Sequence, residues 1–494
     1  MKKRNNPLSA DRFGGKKNRS MVPNPVLSFL VLTLVGVLTS LAPAPKSAPL
    51  GSKPVSKPNI IYILMDDLGV EEIVPYGKNI LKTPHLSRMV REGLVFTQHY
   101  AGTSVCAPSR CALMTGMHTG HCEVRGNKQM EPHGQMPISS ETVTVAELLK
   151  DAGYETALFG KWGLGIEGTT GEPTRQGFDQ YYGYLDQVLA HNNFPAYLVR
   201  NGHRELLPNE VIWEPETALF KGLGSFTPEP KVYSNDLFTK EGVQFLEKPH
   251  SKPFFLYLSY TLPHNNGEAP KNQRFQAPTL APYENEPWTP LEKNYAATIT
   301  RMDEYVGQIM ATLKARGLDK NTLVLFTSDN GSTEDIPERF ARANQLRGMK
   351  RSPYEGGIRA PLIAWWPGQI KPGASDLPTA QWDFLATACE LAGVRPPAHT
   401  DSRSIVPTLL GRKGQPLAPY LYWEFHEQGG WQAIRQGHNK LIFKVKTGQY
   451  ELYDLQKDPG EKTNRIDQEP GLANRLKTLL AAARTPSKDF NFGK

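Results

Sequence analysis

The sequence predicts an α/β fold: a doubly wound, mainly parallel sheet with helices on both faces, joined to a small C-terminal antiparallel sheet with one helix. Three observations carry this reading. Apolar runs of strand length stop abruptly at polar residues, helical stretches separate those runs, and beyond about Gly411 the texture changes to short alternating segments. A chain of 494 residues suits one large domain with a smaller companion, placed here at 55–411 and 412–494 behind a leader at 1–50.

The leader comes first. Residues 1–50 hold eight basic residues against Asp11 alone, a balance of +7 out of a formal charge of +8, and an apolar run over 26–42 follows the basic stretch. Basic, apolar, then small residues and prolines is the layout of an export signal, which predicts a periplasmic or extracellular protein. Ala42, Ala44 and Ala48 are each followed by proline, which suits a signal peptidase poorly, so a retained membrane anchor stays open as the alternative. With the leader set aside the body is near neutral, which leaves no case for a nucleic-acid partner. Cys106, Cys111 and Cys122 crowd together while Cys389 stands apart, which is not a disulfide framework.

Residues 59–65 (NIIYILM) read as a strand buried on both faces, ending in Asp66 and Asp67. Residues 253–260 (PFFLYLSY) lead to His264, and 322–327 (TLVLFT) lead to Asp329 and Asn330. Helical stretches lie between, at 143–149 and 291–315. In such sheets a site forms beyond the carboxyl ends of the strands, and three ends here carry chemically capable residues. Residues 190–227, rich in Asn, Gly, Pro and aromatics, read as a long irregular insertion near a substrate mouth. Farther on, 420–425, 441–446 and 450–455 read as strands and 472–482 as a helix.

Asp66, Asp67, Asp329 and Asn330 offer three carboxylates and an amide oxygen, donors suited to a hard divalent cation such as calcium or magnesium. One acid pair at a strand end usually caps a turn; two pairs on separate strands of one sheet point to a metal site.

Between these stations lies Cys106-Ala107-Pro108-Ser109-Arg110, whose cysteine taken alone reads as a buried core thiol. The five residues resemble the Cys-x-Pro-Ser-Arg signature of the type I, formylglycine-dependent sulfatases of the alkaline phosphatase superfamily. Met65 to Gly69, Gly160-Lys161-Trp162, Pro263-His264, Ser328 to Gly331, and Lys350 with Tyr354 to Pro361 stand in that family's order, so the resemblance spans most of the chain. It implies an alkaline phosphatase-like fold and an enzyme that hydrolyses sulfate esters. It also implies that a maturase converts Cys106 to formylglycine, whose hydrated form attacks sulfur beside the metal. Cys106 thereby joins Asp66, Asp67, Asp329 and Asn330 as a ligand, with calcium the more usual ion. Arg110, Lys161 and Lys350 resemble the family's clamp on the sulfate, and His264 the histidine that, with Lys350, protonates the leaving group. Outside the motifs these would be ordinary surface charges and a loop histidine.

One position departs from the pattern. Many relatives read Gly-Lys-Trp-His-Leu-Gly, with the histidine as the base that expels sulfate; residue 163 here is glycine, which leaves that base unassigned among His118, His121 and His191. The same glycine spells Gly163-x-Gly165-x-x-Gly168, a dinucleotide-binding pattern without a following helix, since Thr169, Thr170, Gly171 and Pro173 break it. For the alcohol, His191 with its neighbours at 190–193 and His426 within 425–431 combine planar, polar and aromatic groups that grip sugars. They suggest a sulfated glycan of galactose type, and ordinary loop packing explains them as well. A phosphomonoesterase or phosphodiesterase of the same superfamily, and a non-catalytic binder of sulfated glycans, are the rival readings.

Overall fold

The structure is a computed structural model that describes residues 57–77, 80–130, 134–215, 223–341 and 346–492. The leader expected at 1–50 lies outside the described residues. Five parallel strands form the middle of a ten-stranded sheet, in the order Thr322–Ser328, Asn59–Asp66, Phe254–Pro263, Glu155–Lys161 and Gln180–Tyr184. Leu362–Trp365 and Leu94–Phe96 continue one edge antiparallel, with Gly373–Ser375 outermost.

The apolar runs are continuous because both faces of the sheet are covered. Ile61, Ile63 and Met65 join a core with residues of the helices Pro84–Glu92, Ser234–Glu247 and Pro290–Ala315. Their neighbours Ile60, Tyr62 and Leu64 join a second core with Cys106–Thr115, Val145–Asp151 and Asp383–Ala392. Successive side chains of a strand point to opposite faces, so each run feeds both cores. The helices start where the sequence caps them. Thr144 with Glu147, and Thr289 with Pro290 and Glu292, form capping boxes that satisfy the free amides of the first turn.

The insertion differs from its expectation. Tyr197–Arg200 and His203–Leu206 form a hairpin that extends the other edge of the main sheet, and Ile212–Trp213 pairs with Ser225–Phe226. Its two-residue turn is Asn201-Gly202, both with positive φ (48° and 85°), the geometry that matches the twist of a tight hairpin.

The C-terminal sheet has four strands rather than three: Leu421–Phe425, Trp431–Gln436, Asn439–Lys444 and Gln449–Asp454, all antiparallel. The unexpected strand contains Trp431, which is buried and donates through Nε1 to the Arg351 carbonyl, so it is a packing residue and not a sugar platform. One face of this sheet packs with helix Pro470–Ala482. The other shares a core with Tyr100, Val105 and Ala112, and Trp423 Nε1 donates to the Ala101 carbonyl at 3.0 Å. The C-terminal sheet thus braces the loop that leads into Cys106.

Candidate active site

Four of the parallel strands deliver polar residues to one place. Asp66 ends Asn59–Asp66, Asp329 and Asn330 follow Thr322–Ser328, His264 follows Phe254–Pro263, and Lys161 ends Glu155–Lys161. Asp67 has φ 65°, a conformation unusual for a residue with a side chain and typical of functional sites whose surroundings enforce it. Cys106 is the first residue of helix Cys106–Thr115, so the positive end of that helix faces it. Ser109, one turn in, fixes the helix start: its Oγ accepts from Gly102 N at 2.8 Å and donates to Gln381 Oε1 at 2.7 Å, and it also meets the Asp329 carbonyl.

Ligand atoms of Asp66, Asp67, Cys106 and His264 all lie within 4.8 Å of one another. Cys106 Sγ donates to Asp66 Oδ1 at 3.3 Å. Lys161 Nζ donates to Asp66 Oδ2 at 2.6 Å, and Lys350 Nζ to Asp67 Oδ2 at 2.8 Å. Arg110 reaches Asp329 Oδ2 through Nε at 3.1 Å and Nη2 at 2.8 Å, while its Nη1 donates to the Lys161 carbonyl at 2.8 Å and to Ser259 Oγ at 2.5 Å. All of these side chains are buried. The structure therefore brings together Asp66, Asp67, Cys106, Arg110, Lys161, His264, Asp329, Asn330 and Lys350.

Burial opposes charge on Asp66, but the cations Lys161, Arg110 and Lys350 outweigh it and hold the carboxyl well below its ordinary range. Asp67 is likewise lowered against burial, chiefly by Lys350. Asp329 is pushed up to about 7 by burial and then by Asp66, the sign of a carboxylate crowded by a like charge. For His264, burial and then Lys350 lower the pKa well below the usual imidazole range, so the ring is neutral. Its hydrogen bonds agree: Nδ1 donates to the Asn265 carbonyl at 2.6 Å, leaving Nε2 to accept from Lys350 Nζ at 2.9 Å. Burial, then Asp66, raises the Cys106 thiol far above its ordinary value, so the unmodified thiol is unreactive at neutral pH.

The donor set suits a hard cation. Asn330 Nδ2 is committed to Asp67 Oδ1 at 2.7 Å and to the Gly331 carbonyl at 2.9 Å, which fixes the amide, and its Oδ1 is buried with no hydrogen-bond partner among the described residues. A fixed buried acceptor beside three carboxylates is the arrangement a divalent ion completes.

Cys106, His264 and Lys350 open into a cavity of about 590 Å³ whose lining also includes Asn127, Gln187, His191, Glu268, Asp335, Arg351, Glu427 and Gln428. His191 is on its wall, stacked on His264 with ring centroids 4.8 Å apart and Nδ1 3.1 Å from Glu268 Oε1. His426 is not in the lining. It pairs with Glu424 at 2.9 Å and stacks on Phe492, while the adjacent Glu427 and Gln428 face the cavity. His118 and His121 are also elsewhere, stacked on each other and turned to Asp401, so neither supplies the unassigned base. Residues 163–168 open no helix; all three glycines have positive φ, and turns follow as far as the short helix Pro173–Arg175. Sequence reasoning missed Ser259, Asn127, Glu268 and Gln187, none of which stands in a motif. Gln187 had one available signal, its place just beyond the end of Gln180–Tyr184.

A family model described as sulfatase matches residues 58–394, and one described as N-sulphoglucosamine sulphohydrolase, C-terminal, matches 349–485. The mouse (Mus musculus) N-acetylgalactosamine-6-sulfatase is 30% identical over 454 residues, covering 88% of this chain and 80% of that protein. The N-acetylgalactosamine-6-O-sulfatase of Bacteroides thetaiotaomicron is 30% identical over 498 residues, covering 87% of this chain and 93% of that protein. A solved structure from work on glycosaminoglycan metabolism in the same bacterium superposes with TM-score 0.69 at 27% identity, covering 87% of this chain and 100% of that one.

Proposed function

Because the chain belongs to the sulfatase family and is a sulfuric ester hydrolase, we propose that it removes sulfate from a galactose-type sugar of a glycan. In this reading it works through a formylglycine made from Cys106 and through a divalent ion, calcium or magnesium. The observation that carries the reading is the meeting of Cys106 with Asp66 and Asp67 at the strand ends. The names of the mouse and Bacteroides relatives support the sugar, as does a cavity wall of amides and carboxylates suited to hydroxyl groups.

Asp66, Asp67, Asp329 and Asn330 would hold the ion, with residue 106 completing the set. Once bound, the ion supplies Lewis acidity, and the formylglycine supplies a hydroxyl nucleophile that a thiol cannot replace. As the side chains stand, the carboxyl groups of Asp329, Asp66 and Asp67 are paired with Arg110, Lys161 and Lys350. A bound divalent ion would add positive charge there, which suits a sulfate ester gaining negative charge as its bond breaks. With Asp66 and Asp67 engaged by the ion, Lys161 and Lys350 would be available to face the sulfate. Lys350 stays charged, since Asp67 raises its pKa against burial, and it touches His264 Nε2. The two together can pass a proton to the departing alcohol. A maturase acting on Cys106 before folding, and export through the leader, complete the reading.

The test uses chromogenic esters. Nitrophenyl sulfate is expected to turn over at least about a hundredfold faster than nitrophenyl phosphate, since the competing ester differs chiefly in charge at the reacting centre. EDTA is expected to abolish the sulfatase reaction and lower Tm, with calcium restoring both. A preference for phosphate, or full activity after chelation, contradicts the proposal.

A further inference from the structure

Gly163 and Gln187 form a matched pair, and Gln187 reaches the cavity that Cys106 also lines. Gly163 has φ 81°, in the left-handed region, and a Cβ built there would stand 1.7 Å from Gln187 Nε2. The Gln187 carboxamide therefore occupies the space that any side chain at 163 would need. The turn that places it is fixed. Trp162 N and Gly163 N donate to the carbonyls of Tyr184 and Leu185 at 2.8 and 3.0 Å, and Asp186 Oδ1 accepts from Val188 N at 2.7 Å.

Gln187 is 6% exposed, and it lines the cavity that contains Cys106, His264 and Lys350. Among the described residues, neither its Nε2 nor its Oε1 has a hydrogen-bond partner. A buried amide with both ends unsatisfied is costly, and such groups are rare in folded proteins unless a ligand or ion completes them. The cationic and imidazole groups of the site are already paired: Lys161 and Lys350 with carboxylates, Arg110 with Asp329, His264 with Asn265 and Lys350. Gln187 is thus a polar group at the cavity with donors and an acceptor still to place.

We infer that Gln187 contacts the substrate's ester group, its Nε2 donating to a sulfate oxygen and its Oε1 accepting from a neighbouring hydroxyl, in the place left empty by Gly163. This rests on the sulfatase reading. A carboxamide does not change protonation state near neutral pH, so its role is to hold the ester and not to act as a base. It adds an uncharged contact to a site whose other sulfate partners are cations.

The experiment measures calorimetric binding of nitrophenyl sulfate to Cys106→Ala protein containing calcium, with and without Gln187→Met, which keeps the volume and removes the amide. In parallel, kcat/KM is measured for matured enzyme carrying Gln187→Met alone, with Tm for every variant. The expected result is about tenfold weaker binding and a comparable or larger loss of kcat/KM, the range of a lost hydrogen bond to a charged group. Tm is expected to hold or rise, because an unsatisfied buried amide has been removed. Binding and kcat/KM both within about twofold of the parent, with or without a fall in Tm, overturn the inference, since each is far less than a lost charged hydrogen bond implies. A Cys106→Ala parent that binds no nitrophenyl sulfate overturns the functional reading itself, and this inference with it.

Discussion

Cys106→Ala is expected to lower kcat for sulfate ester hydrolysis by about 10⁴-fold or more, the scale on which removal of a covalent nucleophile acts. Tm should change little, since the substitution removes one sulfur whose hydrogen bond is the 3.3 Å contact to Asp66 Oδ1. No neighbour can substitute. Ser109 is committed to Gly102, Gln381 and Asp329, and Cys111, farther along the same helix, is packed into the core. Cys106→Ser makes the finer test. A serine hydroxyl beside the ion can accept sulfate but has no second hydroxyl to expel it, so that variant is expected to release one equivalent of alcohol and stop. Rapid-quench kinetics with intact mass distinguish the two variants. Residual steady turnover in Cys106→Ala above about a hundredth of wild type would mean that another group carries the reaction.

Arg110→Met is expected to destabilise the metal-free protein by about 3–5 kcal/mol, the cost of leaving a buried charge without its partner. Arg110 gives two hydrogen bonds to Asp329 Oδ2 and ties that carboxylate to the Lys161 carbonyl and Ser259. Without it Asp329 is left buried beside Asp66, a neighbour that already pushes its pKa up. Arg110→Lys should recover little, because one ammonium cannot span partners arranged for a planar fork. Urea denaturation in EDTA measures the effect as a shifted midpoint at constant slope. A loss under about 1 kcal/mol would show that the pair is not what holds the strand ends together.

The parts of this protein that were legible in sequence are those where physics leaves one solution. A run such as 59–65 can be apolar throughout only if both faces are covered, and the acids that end it must then sit at the sheet's carboxyl edge. Phe254–Pro263 and Thr322–Ser328 obey the same logic, which is why the metal-type cluster was visible without coordinates. The hairpin Tyr197–Arg200 with His203–Leu206 hid because its outer strand is fully exposed and has no apolar alternation; only Asn201-Gly202 announced it. The strand Trp431–Gln436 hid because an aromatic beside glycines looks the same whether it stacks on a sugar or packs in a core. His426 and Gln187 show the limit most directly. Nothing local distinguishes a histidine that turns to Glu424 from one that faces a cavity. Nor does the sequence reveal that a glutamine distant from Gly163 fills its missing side chain. Both are long-range packing outcomes.

The central claim concerns the chemical state of residue 106. The most direct measurement is the mass of the tryptic peptide containing it, from protein made with and without a formylglycine-generating partner, read beside sulfate release by the same preparations. The account predicts a peptide about 18 Da lighter than the thiol form, with activity rising in proportion to the converted fraction. Sulfate release by protein whose Cys106 peptide carries only the intact thiol would contradict it.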